Sequence, residues 1–353
     1  MKEAYLILAD GTTFKGYQMG AFKETICEIV FNTSMTGYVE ILSDPSYAGQ
    51  GVVMSYPMIG NYGVNFSHME SVRPWLSAFI VREISNCASS FSSEIDLNDF
   101  LIKYDIPCLV GVDTRAIIRH IREFGAMNGV LTEQKEFDLE KIKEFTPAGV
   151  VKKVTGDTVR TSGEGYKIAM MDFGAKSNIV RSLEERGCEV VLFPAETTAE
   201  DILAIKPDGI MLSNGPGDPK DCDGIIEEIA KLCKSGVPIF AICLGHQLIA
   251  LAKGADTYKL KYGHRGANHP VRDVETGKIY ITSQNHSYAV HEDNLPPGSE
   301  ISHINVTDNT VEGLYYREEN IFSVQYHPEA CAGPLDSKAL FDRFIHMIEA
   351  SKQ

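Results

Sequence analysis

Apolar and polar positions in the second half of the chain follow a repeating order of short buried-type runs and segments with helical spacing. Residues 167–173 (KIAMMDF) form an apolar run of buried-strand type, and 178–186 follow with helical spacing up to Gly187. The order then repeats as strand 188–193, helix 198–206, strand 209–213, helix 225–234, strand 237–242 and helix 244–253, with Gly236 and Gly254 as stops. Strands alternating with helices predict a parallel sheet covered on both faces. In open sheets of this kind, sites form beyond the carboxyl ends of the strands. Past Asp256 the pattern shortens to β runs at 278–283, 313–316 and 322–326, and a helix follows from about 337 to 350.

The first half reads differently. Short β-like runs at 4–9, 28–32, 51–55 and 79–81 are separated by Gly, Pro and Asp turns, with helical signals at 97–104 and 114–123. Between the halves, 151–166 is polar and Gly-rich and reads as a linker. The expected class is therefore α/β. A mixed α+β domain occupies 1–150, and a doubly wound, mostly parallel sheet occupies 167–353. No internal repeat is evident.

Composition narrows the function classes. The chain has 353 residues, a length that fits two domains. Its 44% hydrophobic and 23% charged residues exclude a wholly disordered or collagen-like chain. Asp plus Glu number 48 against 33 Lys plus Arg, a net charge of −15. That balance argues against general nucleic-acid binding and against an anionic membrane surface, which need surplus cations. No apolar run approaches ~18 residues, so no membrane span is expected. The first residues lack the apolar core of a secretory signal. Eight cysteines are scattered (Cys27, Cys87, Cys108, Cys188, Cys222, Cys233, Cys243, Cys331), with no C-x-x-C pair. The spread predicts reduced thiols in a cytoplasmic protein.

Cys243 stands out among them. It follows the apolar run 239–242 and opens a helix, with small residues two before (Ala241) and two after (Gly245). A strand–nucleophile–helix bend aims its side chain off the carboxyl edge of the sheet. The positive end of the helix dipole favours the thiolate there. A buried core cysteine is the competing reading. His327 and Glu329 follow the 322–326 run, and residues two apart on an extended segment face one way. Pro328 favours extended backbone at His327. A base held by a carboxylate suits the nucleophile–base–orienter arrangement; an exposed loop pair is the alternative. The run 213–219 (SNGPGDP) follows a strand, and its glycines allow amides to point at a ligand, though such a run also makes ordinary turns. Leu244 offers a second amide. His246, His264, His269, His286 and His291 read as structural or solvent-facing. His264 and His269 make no zinc spacing with any cysteine, so no metal site is expected. Neither common phosphate-binding glycine loop is present.

Together, Ile242-Cys243-Leu244-Gly245-His246-Gln247, the earlier Asn214-Gly215-Pro216-Gly217-Asp218 and the later His327-Pro328-Glu329 resemble the class I (triad) glutamine amidotransferases. The first half, through 31–38 (FNTSMTGY), 44–47 (DPSY), 56–61 (YPMIGN), 111–115 (GVDTR) and 125–129 (GAMNG), resembles the N-terminal domain of the carbamoyl-phosphate synthase small-chain family. The likeness runs from about residue 6 to 348. It implies a glutaminase subunit in which Cys243 attacks the glutamine side-chain amide, His327 moves protons and Glu329 orients His327. It implies that Gly217 and Leu244 amides hold the oxyanion. It also implies that L-glutamine is held by Ser46, Gly215, Gln247, Asn285, Ser287 and Tyr288. Ammonia would pass to a large synthetase chain, in a heterodimer or an oligomer of heterodimers. That chain would bind ATP, magnesium and bicarbonate, with no cofactor in this one. The carbamoyl phosphate would feed arginine or pyrimidine synthesis. Two positions depart from the family's usual pattern. Ala241 stands where Gly is usual, and Asn285-His286-Ser287-Tyr288 replaces Asn-His-Gly-Phe. The alternatives are an amidotransferase component of another synthase and a non-catalytic scaffold on the same fold.

Overall fold

Hydrophobic residues on both faces of the same strands set the architecture of the second half. A computed structural model describes residues 2–330 and 332–353 and divides the chain into two compact units, 1–148 and 149–353. Cys331 lies outside the described residues. The other seven cysteines are free, and all but Cys87 are buried. Burial pushes the Cys27 thiol up to about 12, as befits a packing residue. Among the described residues, no helix is long and apolar enough to cross a membrane.

In the second unit, ten strands form one sheet. Its parallel part runs Glu189–Pro194, Lys167–Asp172, Gly209–Leu212, Ile239–Ile242, Ile321–Val324 in space. In chain order this is 2-1-3-4-5, so the topology reverses between Lys167–Asp172 and Gly209–Leu212. A crevice at such a reversal is where open sheets bind ligands. Antiparallel strands Val311–Tyr316, Glu300–Asn305, Thr257–Asp273 and Ile279–Val290 extend the sheet. Ala169, Met171, Ile210, Leu212 and Ala241 pack against one helical layer with Leu248, Ile229 and Leu232. Ile168, Met170, Met211, Phe240 and Ile242 pack against the other, with Ile179, Leu183, Phe341 and Phe344. Phe240 stacks on Phe322 at 4.2 Å and meets Phe341 edge-on at 5.5 Å. This is the doubly wound sheet the alternating pattern predicts.

Residues 151–166, expected as a linker, belong to this unit. Val151 packs into its core from the helix Val150–Val154, and Val159–Arg160 pairs with Glu189–Pro194 at the sheet edge. A two-residue edge strand with both side chains exposed leaves no apolar pattern to read.

The first unit is a closed seven-stranded barrel. Its strand order is Glu3–Leu8, Thr13–Gly20, Pro107–Val110, Ala78–Ile80, Gln50–Met54, Thr25–Asn32, Met127–Thr132. The helices Leu97–Lys103 and Thr114–Phe124 sit where their spacing predicts them. Closure removes exposed strand edges. Four of these strands show in the sequence pattern. Thr13–Gly20 is mostly exposed or half-buried, so it shows no clean alternation.

Candidate active site

Cys243 ends the Ile239–Ile242 strand and caps the Leu244–Ala252 helix. Its φ of 54° and ψ of −103° place a non-glycine residue in strained backbone. Hydrogen bonds on both sides hold it there. Cys243 N–H donates to Val324 O at 2.9 Å, and Gly245 N–H donates to Ser213 O at 3.0 Å. Gly245 is needed because a Cβ would lie 2.6 Å from Leu212 O. The bend turns Sγ to within 3.7 Å of Asn285 O.

His327 is fixed at its backbone, where N–H donates to Ser283 O at 2.9 Å. Its Nδ1 lies 2.6 Å from Glu329 Oε1, and both side chains are buried. Because a carboxylate only accepts, Nδ1 carries the proton and Nε2 is the atom that meets a reactant. Burial works against an imidazolium here; the Glu329 charge and then Cys243 outweigh it and hold His327 up at about 10. Burial likewise opposes the Glu329 carboxylate, and the charges of Lys176 and His327 hold it down at about 2.

Lys176 is a residue beside Glu329 that the sequence pattern does not reveal. It is buried just beyond Lys167–Asp172, and its Nζ donates to Glu329 Oε1 at 3.1 Å and to Ala330 O at 2.6 Å. Its N–H donates to Asn214 Oδ1 at 3.0 Å. A lone lysine before a helix carries no motif. Its one signal is position, beyond a strand that borders the topological reversal.

The remaining expected residues fall as follows. Gly215 lies against Phe173 and Leu244, where a Cβ would be 2.4 Å from Phe173 O. Gly217 has φ +94° on the same loop and is exposed. Leu244 is buried in the first helical turn. Gln247 Nε2 donates to Tyr288 O at 2.8 Å and to Gln325 Oε1 at 2.9 Å, tying the helix to the Asn285–Tyr288 run. Ser287 Oγ accepts from Arg265 Nη2. Ser46 is in the first unit, in the turn Pro45–Tyr47, where its N–H donates to Asp44 Oδ1. The structure thus brings Cys243, His327, Glu329 and Asn285 to one sheet edge, with Gly215 beside Leu244.

Two expected outcomes arise here. Gly215→Ala forces a methyl into a backbone carbonyl, and overpacking of this kind costs ~1–3 kcal/mol. A lowered thermal midpoint with reduced glutaminase activity should result; unchanged melting and activity would refute the close approach. The second concerns pH. A group whose folded pKa is raised contributes fully below its unfolded value, near 6.5, and loses that contribution as pH rises through about 10. Wild-type stability should therefore decline from pH 6.5 towards 10 more steeply than that of His327→Asn in urea titrations. Parallel declines would contradict the pairing.

Comparison with known proteins decides the family. Residues 6–131 match carbamoyl-phosphate synthase small chain, CPSase domain, and 169–347 match glutamine amidotransferase class-I. Carbamoyl phosphate synthase small chains from Symbiobacterium thermophilum and Bacillus cereus are 47% and 50% identical to this chain. The alignments cover 98% of both proteins in the first case, and 99% of this chain and 96% of the relative in the second. The chain belongs to the carbamoyl-phosphate synthase small-chain family. Its second unit carries a class I glutamine amidotransferase domain, and Cys243, His327 and Glu329 all lie inside the matched span. Among solved structures, a putative GMP synthase component from Thermoplasma acidophilum aligns with a TM-score of 0.48 and 23% identity, covering 54% of this chain and 98% of that one.

Proposed function

We propose that this chain is the glutamine-hydrolysing component of a carbamoyl-phosphate synthase, with Cys243 as nucleophile, His327 as proton carrier and Glu329 as its orienter. The observation that carries the reading is a strained cysteine at a strand–helix bend beside a buried histidine whose other nitrogen is held by a carboxylate at 2.6 Å. The Cys243 sulfur anion attacks the side-chain carbonyl carbon of L-glutamine. A C–S bond forms and the carbonyl electrons move to oxygen. Backbone N–H groups of Gly217 and Leu244 donate to that oxyanion; losing one such donor elsewhere costs ~10²–10³ in rate. As the oxyanion collapses, the C–N bond breaks and His327 Nε2 gives its proton to the departing nitrogen. Ammonia leaves, and a glutamyl thioester remains. Neutral His327 then takes a proton from water as the oxygen attacks the thioester. Breaking the C–S bond releases glutamate and restores the thiolate–imidazolium pair.

A buried imidazolium held at about 10 suits the first half of this cycle, since the proton for the amine is already in place. Asn285, Ser287, Tyr288, Gly215 and Gln247 frame the substrate amide and its α-groups. Ammonia goes to a large synthetase chain, the site of ATP, magnesium and bicarbonate. The match of residues 6–131 favours this partner over another synthase. The test is reconstitution with a large chain and assay of glutamine-dependent carbamoyl phosphate. Formation of product supports the reading. A protein that binds the large chain yet hydrolyses no glutamine would leave only the scaffold role.

A further inference from the structure

The long antiparallel pair Thr257–Asp273 and Ile279–Val290 buries histidines that the glutaminase chemistry does not use. His264 and His286 are 7% and 5% exposed, and Glu312, on the neighbouring Val311–Tyr316 strand, is fully buried. One ligand atom from each of the three lies within 4.8 Å of the others. Such polar groups stay buried only when satisfied, and here several are not.

The hydrogen bonds fix which atoms are bare. His264 Nε2 lies 2.7 Å from Asp308 Oδ2, an acceptor, so Nε2 carries the proton. His264 Nδ1 has no hydrogen bond and faces Glu312 Oε1 at 3.5 Å. Glu312 Oε1 accepts from Asn305 Nδ2 at 3.1 Å, while Oε2 has no partner. At His286, Nδ1 lies 2.8 Å from Tyr288 O, so Nδ1 carries the proton and Nε2 presents a lone pair. That lone pair faces Gln284 Oε1 at 3.0 Å. Gln284 Nε2 donates to Thr282 Oγ at 3.2 Å, which leaves Oε1 as the amide atom that faces His286.

One cation placed among these atoms would satisfy His264 Nδ1, the Glu312 carboxylate and the facing pair of His286 Nε2 and Gln284 Oε1 together. The surroundings have the form of a metal site. Each histidine has its outer N–H held by a carboxylate or a carbonyl, and the carboxylate ligand is itself hydrogen-bonded. Two ligands at ~2.05 Å from a tetrahedral ion stand about 3.3–3.4 Å apart, near the 3.5 Å between His264 Nδ1 and Glu312 Oε1. Asp308 and Glu312 supply two negative charges for a divalent ion. Two imidazoles, a carboxylate and an amide oxygen suit zinc and its neighbours over magnesium or calcium.

We infer that His264 Nδ1, His286 Nε2, Glu312 and Gln284 Oε1 form a structural site for a divalent transition-metal ion of the zinc class. The ion would tie the Ile279–Val290 strand, which carries Asn285, Ser287 and Tyr288, to the Val311–Tyr316 strand. No short-range spacing announces it, because the ligands come from three strands.

The test uses the full chain bearing Cys243→Ser, free of affinity tags, so that the reactive thiol does not compete. After chelator treatment and dialysis against zinc, metal analysis should find about one ion per chain. The same chain with His264→Gln or Glu312→Gln should retain less than a tenth of that. Cobalt loading should give the visible absorption of a tetrahedral N/O site with no thiolate-to-metal charge-transfer band. The thermal midpoint should rise with zinc concentration in the parent and stay fixed in the variants. No retained ion, a thiolate band, or equal retention in folded variants would overturn the inference. Should both variants fail to fold, the cobalt spectrum and zinc-dependent melting of the parent decide it.

Discussion

Cys243→Ser should remove glutamine-dependent carbamoyl-phosphate synthesis while synthesis from added ammonia by the same reconstituted complex continues at close to the wild-type rate. The side chain is 2% exposed, and oxygen for sulfur is a small change in volume, so the fold should survive. The chemistry does not survive. A hydroxyl is far harder to ionise than a thiol, and His327 is placed to stabilise a sulfur anion. Loss of a nucleophile in a coupled set of this kind costs ~10³-fold or more. Added ammonia enters after the step that Cys243 performs. Loss of both activities together would contradict a scheme in which this chain supplies ammonia and the large chain consumes it.

Lys176→Met should lower kcat for glutamine strongly and change KM weakly, while lowering the thermal midpoint. Methionine keeps most of the length of the side chain and removes its charge. Glu329 is then left in the core without its first counter-charge, and breaking a buried pair in this way costs ~3–5 kcal/mol. Glu329 escapes by taking a proton or by turning from His327, and either change strips His327 of the charge that holds it up. The effect should appear in the pH dependence of Cys243 alkylation, which reads the histidine through the sulfur. Lys176→Arg, which keeps a cation, should recover part of the rate. A variant with normal kcat and an unchanged alkylation profile would show that Lys176 only packs.

These two residues also mark what can be read from the chain. Cys243 is legible because an apolar run and a helical run meet at it. His327 and Glu329 are legible because a spacing of two on extended chain points both the same way. In the structure the regular strand stops at Val324, and a bridge to Ser283 carries His327 instead. The pair still meets. Lys176, by contrast, reaches Glu329 across 153 positions, and nothing local distinguishes it from a surface lysine. His264 and His286 read as structural or exposed because buried polar strands imitate surface ones. What buries them is register with each other, which the sequence does not print. The barrel of the first unit is half-visible for a similar reason, since closure of strands such as Thr13–Gly20 depends on pairing more than on alternation.

Whether a cysteine thioester carries the reaction is read by mixing the chain with glutamine, quenching in acid within one turnover and mapping covalent adducts by mass spectrometry. A glutamyl group should appear on the Cys243 peptide alone, accumulating further in His327→Asn if glutamine is presented as an activated ester. An adduct at another thiol, or turnover with Cys243 unmodified throughout, would contradict a thioester route through Cys243.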